Sequence, residues 1–183
     1  MTLLDSPAIS DVDAAERSSR LQEASAAWHG RIADDVANAQ LTYRVRGAGE
    51  GAVATRLRAG KHQLLVDEPG ALAGDDRAAS PVEFALAALI SCQVVVYRLY
   101  AEALGIVVDD IDITADGDLD ARRLFGIDEG VRAGFTDVRL DIAITGPESA
   151  ERYEELKAAV DAHCPVLDLF ANPTPVSAAV RKA

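Results

Sequence analysis

One run of fourteen consecutive residues, FALAALISCQVVVY at positions 84–97, carries no charge. The preceding SPVE, at 80–83, combines a Ser-x-x-Glu capping pattern with proline at the first helical position, and both are typical of a helix start. Gly105 is a suitable C-terminal stop. The pattern therefore predicts one helix over 81–104, about 36 Å long.

A helix that is apolar on every side is buried on every side. The rest of the chain offers few strands to cover so long a helix, so we expect a second copy of the chain to complete its burial as a homodimer. The three consecutive valines at 94–96 are poor helix formers and mark a place where the helix could kink.

Period-2 alternation of apolar and polar residues indicates strands on both sides of this helix. Before it, three strands separated by turns at 47–51 and 59–60 form a predicted antiparallel meander. After it come two longer strands around a polar excursion at 116–134, then two helices and a last strand. The predicted strands are 41–46, 53–58, 62–69, 110–114, 136–144 and 175–180, and the later helices begin near Pro147 and at Pro165. This order predicts an α+β fold with antiparallel sheets packed around long central helices.

Residues 1–37 are rich in Ala, Asp, Glu and Ser. We interpret 1–15 as a flexible tail and 16–37 as an appended amphipathic helix with Leu21, Ala24, Trp28 and Ile32 near one face. The main domain is then 38–183.

The chain has 183 residues and a formal net charge of −12. This acidic balance argues against nucleic acid and anionic membranes as partners. We find no stretch approaching the roughly 20 apolar residues of a membrane span. The N-terminus also lacks the basic and apolar segments of a signal peptide, so we expect a cytoplasmic protein.

The two cysteines, Cys92 and Cys164, are 72 positions apart. They are either inert buried thiols or a transient redox pair, which is one of the few reasons for a cytosolic disulfide. Burial alone raises a thiol pKa, so a reactive Cys92 needs a nearby cation. Four meander arginines could supply it or could simply mark a solvated face: Arg44, Arg46, Arg56 and Arg58. Cys164 precedes Pro165 at a helix start. One histidine beside two distant cysteines provides too few ligands for a structural metal site.

Two segments carry a family resemblance. SPVEFALAALISC at 80–92, followed by HCPVLDLFANPTPV at 163–176, resembles the OsmC/Ohr family of thiol peroxidases, and LLVDEP at 64–69 and GDLD at 117–120 agree with it. The resemblance covers about residues 40–180. It implies an intertwined homodimer in which sheets from both chains wrap around two central helices.

By this resemblance Cys92 would be the peroxidatic thiolate and would become a sulfenic acid on attacking an organic hydroperoxide, with hydrogen peroxide as a further candidate substrate. Cys164 would be the resolving thiol, and a dihydrolipoamide-like dithiol would reduce the resulting disulfide. Such a cycle needs no metal or prosthetic group.

The sequence departs from the family pattern at the helix opening. In the organic-hydroperoxide branch a glutamate directly follows the proline, whereas here Val82 does and Glu83 comes one residue later. Glu83 is therefore either a catalytic residue or only a helix cap. For the activating arginine, Arg46 is our first choice, with Arg56 and Arg77 behind it.

Two other functions fit the same residues. The scaffold could serve a non-catalytic dimeric protein that binds a small apolar ligand. A hydrolase using Cys92 with His62 or His163 is a weaker alternative, because the sequence has no recognisable nucleophile elbow.

Overall fold

A computed structural model describes residues 12–182 and confirms the α+β architecture. Strands β1, β2 and β3 form one antiparallel sheet in that order, and β4 and β5 form a second. Short 3₁₀ turns lie at Val36–Ala39 and Gly70–Leu72. The elements are α1 (Ala14–Asp34), β1 (Val45–Glu50), β2 (Ala54–Ala59), β3 (His62–Val66), α2 (Pro81–Leu104), β4 (Asp110–Leu119), β5 (Phe135–Thr145), α3 (Ala150–His163) and α4 (Pro165–Ala171).

The bounds predicted for the long helix are confirmed in α2. Its capping box is complete: the Glu83 carboxylate accepts the Ser80 backbone N–H at 2.7 Å, and the Ser80 hydroxyl accepts the Glu83 N–H at 3.4 Å. Gly105 ends the helix at φ 63°, in the left-handed region that favours glycine. The helix runs unbroken through its three valines.

The core lies where one face of α2 meets α3, α4 and the β4–β5 sheet. Tyr97 of α2 and Leu156 and Val160 of α3 are completely buried there. The alternating residues of β4 and β5 add Ile113 and Ile142 to the same cluster. The helical spacing of Tyr153, Leu156 and Val160 predicts that they share the inner face of α3, and this is confirmed because Leu156 and Val160 belong to the core and Tyr153 packs against it.

The single chain does not bury α2 on every side. Ala88, Ser91, Val95 and Leu99 share a second face of the helix, and all four are exposed. This long apolar helix also meets the length and composition of a membrane span, contrary to the sequence-based expectation. The core helix of a soluble protein meets the same criteria, so the property alone does not indicate a membrane.

The meander is confirmed, but β1 lies four residues later than predicted. The segment read as a turn contributes Gly47 and Gly49 to the strand, where Gly47 pairs with Leu57. The turn falls instead at Gly51, whose φ of 57° suits a tight reversal. The meander packs little against the helices or the second sheet.

Two further boundaries differ from the sequence expectations, and one predicted strand does not form. Helix α1 begins at Ala14, inside the segment interpreted as a tail, and ends at Asp34; residues 1–11 of that tail lie outside the described residues. Strand β4 continues to Leu119, because pairing with β5 extends into the polar excursion. The predicted last strand does not form: Val176 and Val180 are 89% and 100% exposed, since none of the five described strands pairs with this segment.

The capping box generates a stability prediction. Ser80→Ala removes the hydroxyl that accepts the Glu83 N–H and should lower the free energy of unfolding by about 1 kcal/mol. Ser91→Ala is the matched control, because its exposed hydroxyl bonds only to the Ala87 carbonyl within the helix and its loss should be nearly neutral. Urea unfolding at one fixed protein concentration measures both, and equal values would contradict the capping role.

Candidate active site

The fold brings Cys92 of α2 and Cys164 of the α3–α4 junction together. Cys92 packs against the buried cluster that contains Cys164, and the Cys164 side chain is near enough to raise the pKa of the Cys92 thiol, although 72 positions separate them in the chain. Both are free thiols, Cys164 almost completely buried and Cys92 half-buried. Disulfide formation requires such proximity, so the pair is geometrically suited to a reversible thiol–disulfide cycle.

Cys164 ends one helix and begins the next. Its backbone N–H donates to the Val160 carbonyl of α3 at 2.9 Å, and its sulfur accepts the Leu167 N–H of α4 at 3.4 Å. Pro165 follows at the first position of α4, where its missing N–H costs nothing. The Cys-Pro sequence therefore holds the thiol at a rigid corner between two helices.

The electrostatics of Cys92 within one chain do not favour its thiolate. Burial has the largest effect and raises the pKa of the Cys92 thiol. The Val166 backbone N–H donates to the Cys92 sulfur and lowers this pKa, whereas the neighbouring Cys164 side chain raises it. In the described part of the chain, no cationic side chain is among the groups that influence this pKa. A reactive Cys92 therefore needs a cation that residues 12–182 of its own chain do not bring to it.

Arg46, the first-choice activating arginine, is not brought to Cys92 within the chain. It lies on β1 directly opposite Arg58 of β2, and both line an exposed cleft of about 290 Å³. Arg56 lines the same cleft and is held by Glu50 through two bonds of 2.7 and 2.8 Å.

Arg77, the remaining candidate, lies in the loop before α2. The buried Asp67 carboxylate accepts the backbone N–H groups of Asp75 and Arg77 at 3.1 Å each. These bonds lower the pKa of Asp67, with the Arg77 N–H contributing most. One buried carboxylate thus orders the loop that presents the exposed Arg77 side chain.

Glu83 closes the capping box and lies far from Cys92 of its own chain. Its carboxylate accepts both the hydroxyl and the backbone N–H of Ser80 at 2.7 Å, and these bonds lower its pKa. Nine helical positions separate Glu83 from Cys92, which is about 14 Å along the axis. Within one chain the residue acts as a cap.

The structure does not assemble a Cys–His dyad from the described residues. His163 stacks on Tyr100 with ring centroids 4.5 Å apart, and its Nδ1 bonds to the Ala159 carbonyl at 2.7 Å. His62 lies on β3 of the meander. Within residues 12–182, no three His, Cys, Asp or Glu side chains are grouped so as to hold a metal ion.

Sequence reasoning missed two buried polar side chains beside the cysteine pair. Gln93 and Tyr97 are fully buried, and the Gln93 amide atoms and the Tyr97 hydroxyl have no hydrogen-bond partner among the described residues. Burial raises the pKa of Tyr97 to about 12. The sequence shows only that Gln93 is one of two polar interruptions in the charge-free run, since its burial depends on which face of α2 meets α3.

A cleft of about 660 Å³ adjoins the surroundings of the cysteine pair, although neither cysteine lines it. Leu89, one turn before Cys92, and Leu167, whose N–H bonds Cys164, both line it. Phe135 and Phe170 supply aromatic walls, and Arg132 contributes a cation. Its size and mixed lining suit a small amphipathic molecule.

The amino-acid sequence itself identifies the family of this chain. The model of the family described as OsmC-like protein matches residues 74–179, which is more than half of the chain and includes α2, the second sheet and both cysteines. The chain belongs to the OsmC-like family. No curated protein matches the sequence significantly.

Solved structures agree with this OsmC-like fold. An OsmC-like protein from Mycoplasma pneumoniae matches with a TM-score of 0.64 at 16% identity, over 72% of this chain and 89% of that one. An organic hydroperoxide resistance protein OsmC from Legionella pneumophila matches with a TM-score of 0.56 at 23% identity, over 71% and 89%. An organic hydroperoxide resistance protein from Elizabethkingia anophelis matches with a TM-score of 0.56 at 20% identity, over 72% and 89%.

The proximity of the two cysteine side chains predicts an intramolecular disulfide. Diamide, which oxidises thiols without any peroxidase chemistry, should convert the protein to a species lighter by two hydrogens, measured by intact mass under denaturing conditions. Cys92→Ser and Cys164→Ser are the controls and should not lose two hydrogens. A disulfide-linked pair of chains on a non-reducing gel, without the intramolecular product, would contradict the geometry.

Proposed function

We propose that this chain is a thiol-dependent peroxidase that reduces organic hydroperoxides and contributes to resistance against oxidative damage. The observation that carries the proposal is that the fold brings Cys92 and Cys164 close together across 72 positions of sequence. Membership of the OsmC-like family supports it, as do the fold's likenesses to proteins named for organic hydroperoxide resistance.

The proposed chemistry has three balanced steps. The Cys92 thiolate attacks the terminal oxygen of the hydroperoxide, the O–O bond breaks, and the departing alkoxide takes up a proton to become an alcohol while Cys92 becomes a sulfenic acid. The Cys164 thiol then attacks the Cys92 sulfur, a disulfide forms and water leaves. A dihydrolipoamide-like dithiol finally reduces the disulfide by exchange and is itself oxidised to a disulfide.

Activation of Cys92 would come from the second subunit of a homodimer. Cys92 is half-buried at the edge of the uncovered face of α2, where Ser91 and Val95 are exposed. A partner covering that face would bring its own side chains to the thiol. Arg46 is the proposed activating cation, because its meander packs little within its own chain. Glu83 would be catalytic only if it, too, reaches the partner's site.

The proposed substrate and location follow from the same site. The cleft near the cysteines is partly apolar and suits an organic hydroperoxide, with hydrogen peroxide as a further candidate substrate. A cycle that must return both cysteines to thiols fits the reducing cytoplasm. Residues 38–183 would form the catalytic domain and 1–37 an N-terminal appendage.

Peroxide turnover tests the proposal directly. Wild type should consume cumene hydroperoxide with dihydrolipoamide as reductant, and Cys92→Ser should reduce the rate to background because the attacking sulfur is lost. Cys164→Ser should retain one rapid oxidation per chain but turn over slowly, because the sulfenic acid is not resolved. Ser91→Ala, next to Cys92 but without a thiol, is the control and should keep wild-type turnover.

The proposal would be overturned by slow consumption that is the same in wild type, Cys92→Ser and Cys164→Ser. Parallel assays with hydrogen peroxide rank the two substrates. Comparing dithiothreitol with dihydrolipoamide identifies which dithiol the protein accepts.

The pH dependence of Cys92 alkylation tests the activating arginine. In the Cys164→Ser background the dimer should show a Cys92 pKa below about 7, against about 8.5 for a free thiol. Arg46→Gln should raise this pKa by about 1–3, because an adjacent cation stabilises the thiolate. Arg58→Gln is the matched control, since Arg58 lies directly across the sheet. A rise with Arg77→Gln but not with Arg46→Gln would transfer the role to Arg77.

A second candidate function is non-catalytic binding of a small apolar ligand by the same dimeric scaffold. Two observations favour it: the raised pKa of Cys92 within the chain and the cleft of about 660 Å³. A Cys92 pKa at or above about 8.5 in the wild-type dimer would support binding over catalysis.

A further inference from the structure

Only the first half of α1 packs against the rest of the described chain. Arg17, Ser18, Leu21 and Ser25 are half-buried, whereas every residue from Ala26 to Asp34 is exposed. The Gln22 amide links this packed half to α2, because it donates a hydrogen bond of 2.6 Å to the Glu102 carboxylate. A helix is stabilised mainly by burying one face, so the second half lacks its main source of stability.

The exposed half carries an apolar stripe. Trp28 and Ile32 are four positions apart and lie on the same side of the helix as Leu21, which turns towards α2. They are 38% and 37% exposed, and Val36 just beyond the helix is 74% exposed. The stripe therefore begins against the chain's own core helix and continues past it uncovered.

The packed half of α1, from which this stripe continues, adjoins the uncovered face of α2. Val95, Leu99 and Glu102 are spaced i, i+4 and i+7, so they form one line along α2. Val95 and Leu99 are exposed, and Glu102 is the residue bonded to Gln22 of α1. The uncovered line of α2 thus runs directly into α1, and whatever covers one is positioned to cover the other.

We propose that the second half of α1 docks on the partner subunit and buries Trp28, Ile32 and Val36 in the dimer interface. The inference rests on the homodimer of the proposed function, whose second copy covers the adjoining face of α2. A net charge of −12 disfavours anionic membranes and nucleic acid, which are the other large partners that could cover this stripe. Helix α1 precedes the OsmC-like region at 74–179, so it is an interface element added to that region.

Trp28 is the only tryptophan of the chain, so its fluorescence reports this contact in the unmodified protein. As the full-length protein is concentrated through its monomer–dimer transition, followed by sedimentation, the emission should shift to shorter wavelength. Acrylamide quenching should fall several-fold over the same range. Dimer formation with unchanged emission and quenching would overturn the inference, and so would a Trp28 already protected in the monomer.

Two variants separate docking from a general loss of structure. Ile32→Ser should weaken dimerisation about tenfold or more and increase the quenching of Trp28, because a buried apolar side chain is lost. Ala26→Ser, on the opposite side of α1, is the matched control and should change neither quantity. If Ile32→Ser lowers the helix content seen by circular dichroism, Val36→Ser beyond the helix makes the same test. Equal dimer affinity in the variant and control would overturn the inference.

The outcomes also distinguish this inference from the proposed function. A dimer with protected Trp28 but no peroxidase activity would support the docking of α1 and contradict the proposed peroxidase function. An active peroxidase whose Trp28 stays exposed in the dimer would contradict only the docking of α1. An emission shift that appears only on adding phosphatidylcholine–phosphatidylglycerol vesicles would assign the stripe to a membrane and overturn the inference.

Discussion

Covering a charge-free helix is the constraint on which the rest of this structure depends. Helix α2 is 24 residues long, and its ends are set by local contacts: a capping box at Ser80 and a left-handed glycine at 105. One face is packed by α3, α4 and β4, and a second face is left uncovered. Exposing so much apolar surface is unfavourable in water, so the folded chain is complete only when something covers that face.

The cysteine pair lies beside the seam between these two faces. Cys164 is fixed on the covered side by a junction between two helices, and Cys92 is half-exposed at the border of the uncovered side. The single chain therefore provides proximity between the sulfurs but not the cation that a reactive thiolate requires. Chemistry and assembly are consequently linked in the function proposed for this protein.

Sequence reasoning identified the two thiols but not the residues that would assist their chemistry. Cys92 and Cys164 stand in recognisable segments, whereas Arg46 and Glu83 are common residue types whose role depends on what they face. Glu83 satisfies the backbone of its own helix. Arg46 lies on a sheet that packs little within the chain. The unpartnered amide of Gln93 could not be foreseen, because a polar residue in an apolar run is exposed or buried according to the helix face it occupies.

The sequence by itself determined the bounds of α2, the existence of the meander and the helical surroundings of both cysteines. These features depend on capping, proline, glycine and alternation signals that act within a few residues. Tertiary structure decided the rest. Strand β1 includes Gly47 and Gly49 because pairing with β2 extends it, and the predicted last strand has no partner among the described strands. The proximity of Cys92 and Cys164 also belongs to tertiary structure, because only the packing of α4 against α2 brings together residues so far apart in the chain.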